Sequence, residues 1–104
     1  MFKKLDEFLG GWIIGKFEPS LYEVENFELG LKKVRAGEKG DGHFHKETLE
    51  HTILIDCEAK NNGEYIKPYG IITIQPNEKN HTEFLTNGTI VCIKIGQCKN
   101  DKYY

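Results

Sequence analysis

Apolar residues come in short bouts along this chain, and within several of them they fall on every second position. Phe27, Leu29 and Leu31 alternate with other residues through NFELGLKKVRA (26–36), and HTILIDCEA (51–59) is dense in β-branched side chains. GWIIGKF (11–17), IITIQP (71–76), HTEFL (81–85) and TIVCIKI (89–95) are further bouts of the same length. A period of two marks a strand with one buried face. Turn chemistry separates the bouts: Glu18-Pro19-Ser20, the glycine-rich GEKGDG (37–42), Asn62-Gly63, Pro68-Tyr69-Gly70 and Asn87-Gly88. Helical spacing occurs only at Phe2, Leu5, Phe8 and Leu9, where Gly10-Gly11 stops it, so a short N-terminal helix or turn is expected. Short strands with turns every eight to twelve residues or so predict an all-β sandwich or barrel. No repeat, linker or low-complexity tract divides the chain, and residues 1–104 are expected to form a single domain.

Charge and composition narrow the function by exclusion. A net charge of −2, with lysines scattered among acids, gives no electrostatic footing for nucleic acid or an anionic membrane, and neither is expected as a partner. Asp6 and Glu7 interrupt the N-terminal apolar residues, and no apolar run approaches the roughly 18 residues of a membrane span. No signal peptide or transmembrane helix is expected, and the cytoplasm is the default compartment. Cys57, Cys92 and Cys98 are odd in number and lack CxxC spacing, which fits reduced thiols; Cys57 and Cys92 sit in strand patterns and read as small buried hydrophobes. The polar tail QCKNDKYY is expected to be loosely held unless its tyrosines pack.

The chemistry gathers in GHFHKETLEH, Gly42 to His51, which holds three of the four histidines and two glutamates. His43 and His45, two apart, share a face on an extended strand, and Glu50 heads the next strand after a turn, so a hairpin would bring two imidazoles and a carboxylate together. His81 opens a later strand and is the candidate fourth ligand. Three neutral imidazoles and one carboxylate suit a divalent transition metal — iron, manganese, nickel, cobalt, copper or zinc — and leave positions for water or substrate. The ordinary alternative is a solvated pair of histidines on an exposed hairpin. Glu47 reads as a turn residue, and His51, of opposite parity to Glu50, should face away.

Two boxes carry a resemblance. Gly37, His43, His45 and Glu50 are similar to the first cupin box, G-x5-H-x-H-x3-4-E-x6-G; Gly70, Pro76 and His81 are similar to the second, G-x5-P-x-G-x2-H-x3-N. Cys57 stands in place of the last glycine of the first box, and Glu78 and Leu85 in place of the middle glycine and final asparagine of the second. The chain therefore resembles a cupin, which implies a double-stranded β-helix (jelly-roll) barrel with a metal on His43, His45, Glu50 and His81. GWIIGKFEPS (11–20), FELGLKKVRAGEK (27–39), HFHKETLE (43–50) and the ending DKYY (101–104) further resemble small single-domain cupins associated with surface-polysaccharide or nucleotide-sugar pathways.

Parity assigns the remaining candidates. Thr52 and Leu54 share the face of Glu50 and would line the barrel beside the metal. Glu83 shares the face of His81, as a partner for an imidazole or a rim charge. Lys33 and Arg35 share parity with Leu29 and Leu31 and are candidates for the barrel mouth, where a cation would meet a carboxylate or phosphate. Trp12, Tyr65 and Tyr69 are candidates for stacking on a sugar-like ligand. Apolar runs without clean alternation at 12–14 and 90–95 predict burial on both faces, and hence a homodimer. Two functions stay open: a metal-dependent enzyme acting on a small polar, carbohydrate-like molecule (isomerase or epimerase, lyase or oxygenase), or a non-catalytic module that binds one.

Overall fold

The computed structural model describes residues 1–104. Eight strands follow two 3-10 turns at Leu5–Glu7 and Leu9–Gly11: β1 (Trp12–Ile14), β2 (Phe27–Val34), β3 (Leu49–Leu54), β4 (Ala59–Asn61), β5 (Glu64–Ile66), β6 (Ile71–Ile74), β7 (Thr82–Phe84) and β8 (Gly88–Ile95). The N-terminal segment takes the turn rather than the helix. So few residues ahead of a glycine pair cannot repay helix nucleation, and Phe8 is the only one of the first eleven residues to be buried.

The eight strands pair antiparallel throughout. One sheet has the order β1-β2-β8-β3-β6 and the other β5-β4-β7. The fold is a double-stranded β-helix, and its core lies between the sheets: Val34, Leu54, Cys57, Ala59, Ile72, Ile74, Phe84, Ile90 and Cys92. Cys57 and Cys92 are buried as free thiols, and burial pushes both above the ordinary thiol range.

The direction of each strand's inner face decides the site. On β3, Glu50, Thr52 and Leu54 face inward, and His51 faces out to Thr73 on β6 (Nδ1 to Oγ1, 2.9 Å). On β2 the inner positions are Gly30 and Val34 with Lys32 between them, and on β8 they are Ile90, Cys92 and Lys94. Leu29, Leu31, Val91 and Ile93 therefore lie on the outer face. Leu31 borders Leu5, Phe8 and Gly11 of the N-terminal turns there. Lys33 and Arg35, expected at the barrel mouth, follow Leu31 outward and are exposed. The expectation takes the alternating leucines as the buried face; here they face outward, Leu31 against the N-terminal segment, and the other parity faces the interior. A one-residue change of register moves every side chain to the opposite face.

Candidate metal centre

His43 and His45 lie on an extended segment whose backbone is bonded on both sides. Phe44 exchanges both backbone hydrogen bonds with Tyr103 of the C-terminal tail (2.9 Å each). The N–H groups of Asn77 and Asn80 donate to the carbonyls of His45 (2.5 Å) and His43 (3.1 Å). The turn that follows closes on Asp101. Its carboxylate accepts from the N–H groups of Lys46 (3.0 Å), Glu47 (2.9 Å) and Thr48 (3.0 Å) and from the Thr48 hydroxyl (2.8 Å). Burial alone would raise the Asp101 carboxyl; the donors from Glu47, Thr48 and Lys46 outweigh it and hold the group below the ordinary carboxylate range. The tail is thus a built part of the site rather than loosely held.

These braces fix which ring nitrogen of each histidine is free. His45 Nδ1 meets the backbone carbonyl of Asp101, an acceptor only, so Nδ1 carries the proton and a neutral ring presents a bare lone pair at Nε2. His43 Nδ1 lies 2.5 Å from Asp41 Oδ1, which likewise assigns its proton and leaves Nε2 free. Hydrogen bonds from the His43 ring and then from Lys102 hold the Asp41 carboxyl well below its ordinary range; Lys102 Nζ (3.1 Å) and the Tyr104 hydroxyl (3.1 Å) share its second oxygen. A carboxylate or carbonyl behind each imidazole is the usual way a metal-bound histidine is oriented.

Donor atoms of both imidazoles gather with Glu50. His43 and His45 meet edge to face with ring centroids 5.0 Å apart, and one donor atom from each of His43, His45 and Glu50 lies within 4.8 Å of the others. His45 Nε2 is buried without a hydrogen-bond partner, 3.6 Å from Glu50 Oε1. A lone pair and a carboxylate facing each other in a dry site repel unless something positive lies between them, and an unmet buried group costs about 1–3 kcal/mol. A metal about 2.0–2.3 Å from each donor resolves the conflict. The residues fit a divalent ion.

His81 does not join them. Its side chain is exposed, its ring lies against Gly42, and its backbone N–H donates to the Asn62 side-chain oxygen (3.0 Å). Gly42 has φ +74, and a Cβ there would sit 2.7 Å from the His81 ring. The cause is parity again. β7 pairs with β4 so that Ala59 and Phe84 both enter the core. This turns Thr82 and Phe84 inward, and His81 and Glu83 to an outer groove beside Lys39 and Lys60. The fourth ligand and its partner, as expected from the second box, lie outside the cluster.

A cavity of about 470 Å³ opens beside the triad. Thr52 lines it, whereas Leu54, one inward step along β3, is fully buried in the core. Asn80 and Thr82 form its opposite wall, tied together by Asn61 (Nδ2 to both side chains, 2.8 Å). Of the aromatics expected to stack on a ligand, only Trp12 lines this cavity; Tyr65 and Tyr69 are exposed elsewhere.

No family profile matches the sequence, and no curated protein matches it. Solved structures do. A protein with a double-stranded β-helix domain from Klebsiella pneumoniae is 16% identical, with 96% of this chain and 86% of that one covered at a TM-score of 0.63. A cupin protein from Bacteroides fragilis is 16% identical over 78% and 75% of the two chains at 0.54. The chain has the cupin fold. A third structure, a sugar phosphate isomerase of the cupin superfamily from Silicibacter pomeroyi, is 14% identical; 67% of this chain and 50% of that one are covered at a TM-score of 0.55, so the chain spans half the length of that enzyme. Such identities speak to the fold alone. The triad on this cupin scaffold is read from its own geometry.

Asp101, Asp41 and the inward Lys32 and Lys94 went unnoticed in the sequence. The only signal for the first was the DKYY ending, which marked the tail as part of the resemblance without giving it a role.

Proposed function

We propose that the chain is a small metal-binding cupin that holds a divalent transition metal on His43, His45 and Glu50. It acts on a small polar, carbohydrate-like molecule in the adjoining cavity. The observation that carries this reading is the unpartnered Nε2 of His45 facing Glu50 in a buried site. A bound ion would supply Lewis acidity toward a ligand oxygen. The chain's own residues do the rest. Asp41 and the Asp101 carbonyl hold both imidazoles with Nε2 inward. Thr52, Asn80 and Thr82 offer hydroxyl and amide groups to ligand hydroxyls, while Phe84 and Ile90 form an apolar part of the wall.

A second reading, a binder without turnover, is favoured by one observation: the carboxylates around the cavity are already engaged. Glu50 belongs to the ligand triad, Asp101 is held by its four donors, and Glu38 accepts the Arg35 N–H (3.3 Å). A dedicated general base therefore has to come from the ligand set or from the ligand itself.

The proposal extends to a homodimer and to a surface-polysaccharide or nucleotide-sugar setting. Exposed Ile71 and Ile95 on the five-stranded sheet support the first; the resemblance in the sequence supports the second. No helix is long and apolar enough to cross a membrane. The test is elemental analysis of purified protein beside a His43→Ala/His45→Ala variant. About one transition metal per chain, lost in the variant, is expected. A wild type that stays metal-free after supplementation with each of the six candidate ions overturns the reading.

A further inference from the structure

Three strands of the larger sheet bring two lysines and a tryptophan into the cavity. Trp12 on β1 pairs in register with Gly30 on β2, and Gly30 with Cys92 on β8. A Cβ on Gly30 would lie 2.8 Å from the indole, so the missing side chain is what lets Trp12 lie flat over the sheet. Lys32 on β2 and Lys94 on β8 place their ammonium groups 4.6 and 4.9 Å from the Trp12 ring centroid.

Neither lysine is neutralised. Lys94 stands in register between Glu28 and Glu50 on the flanking strands, yet no carboxylate lies within 4.0 Å of Lys94 or of Lys32. Neither side chain makes a hydrogen bond, and both are half-buried. The negative groups near them turn elsewhere: Glu50 lies in the triad with the two imidazoles, Asp101 binds the 46–48 turn, and Asp41 binds His43 and Lys102. Two cations held on an indole without a counter-charge form a ready site for an anion, because charge-assisted bonds to phosphate or carboxylate oxygens are stronger than an ammonium's hold on a ring face.

We propose that Lys32 and Lys94 form an anion subsite over Trp12, so that the ligand of this cavity is a carboxylate or phosphate derivative rather than a neutral sugar. Register sets its size. Glu50 on β3 is directly opposite Lys94 on β8, and Lys32 lies on the next strand. At a strand spacing of about 4.8 Å, the anionic group is one to two strands from the metal triad. That suits a compact molecule with its charge a few bonds from the oxygen that faces the triad. This step rests on the cavity being a ligand site and stands apart from the metal assignment.

Trp12 is the chain's single tryptophan, and its fluorescence reports on the subsite directly. Inorganic phosphate and D-gluconate, as the two anion sources, would be titrated into the metal-free and metal-loaded protein. D-sorbitol serves as the neutral control and potassium chloride matches ionic strength. A saturable emission change with phosphate, gluconate or both is expected, together with at least tenfold weaker binding in Lys32→Ala and in Lys94→Ala. Lys33→Ala, one residue away on the outer face, should bind as wild type does. The arm that saturates at the lower concentration names the anion. Saturation that persists in His43→Ala/His45→Ala supports the subsite even if the metal reading fails. A change that chloride reproduces at matched ionic strength, or one equal in Lys32→Ala and Lys33→Ala, overturns it. So does the absence of any saturable change in wild type.

Discussion

Two stretches of this molecule carry histidine in a cupin-like setting, and only one of them builds a site. In Asp41–Glu50 both imidazoles have a fixed partner at Nδ1, their Nε2 lone pairs turn inward, and Glu50 meets them from the next strand. In Pro76–Phe84 the histidine is on the exposed side of its strand, over Gly42, and the loop contributes backbone instead: Asn77 and Asn80 bond the carbonyls of His45 and His43. The same kind of residue is a candidate ligand in one place, while in the other its loop is a strut. Strand parity and a brace behind the ring separate the two, not the presence of histidine.

The comparison breaks most visibly at its centre. His45→Ala removes the unpartnered donor and should lower metal affinity by at least about 100-fold, read as metal retained after dialysis against a weak chelator. The apo protein should also lose about 1–3 kcal/mol in urea unfolding, because the Asp101 carbonyl loses its partner at Nδ1 and the buried ring its packing, only partly offset by removal of the unmet Nε2. If His45→Ala retains metal like wild type, the triad is not the site.

Next in size is Asp101→Ala. It removes the acceptor for three backbone N–H groups and the Thr48 hydroxyl. Leaving buried donors unmet should cost about 2–4 kcal/mol in urea unfolding. Metal affinity should fall by about 10–100-fold, as for other groups that orient a ligand. Asp41→Asn tests the brace behind His43 and should weaken the metal by about tenfold. An Asp41→Asn loss as large as that of His45→Ala would mean that Asp41 acts as more than an orienting group.

How much of this was legible beforehand follows from where the information lies. The strand bouts, the turns and the convergence of His43, His45 and Glu50 are local: a period of two and one tight turn, readable within ten residues. The face of Glu50, Thr52 and Leu54 was readable for the same reason. Asp101 was not, because its role depends on closure across more than fifty residues between the tail and the turn at 46–48. The lysines failed differently. Leu29 and Leu31 mark the apolar parity of β2 correctly, but that parity faces outward, where Leu31 lies against the N-terminal turns. That parity predicts Lys33 and Arg35 at the barrel mouth, whereas they are exposed and Lys32 lines the cavity. Alternation tells which residues share a face; only the partner of that face tells which way it looks.

The smallest predicted effect bears hardest on the comparison. His81→Ala should leave metal content and affinity within about threefold of wild type, since His81 stands outside the triad and no ligand nitrogen depends on it. Gly42→Ala sharpens the point. A side chain at φ +74 that meets the His81 ring at 2.7 Å must displace that ring, and the strained backbone immediately precedes His43. If His81 is only a neighbour, Gly42→Ala should weaken the metal through His43, and adding His81→Ala should relieve part of the loss by clearing the clash. A His81→Ala protein that loses its metal as His45→Ala does would make the second stretch a ligand supplier after all. The inward turn of Thr82 and Phe84 would then describe a resting arrangement, and not the one that holds the ion.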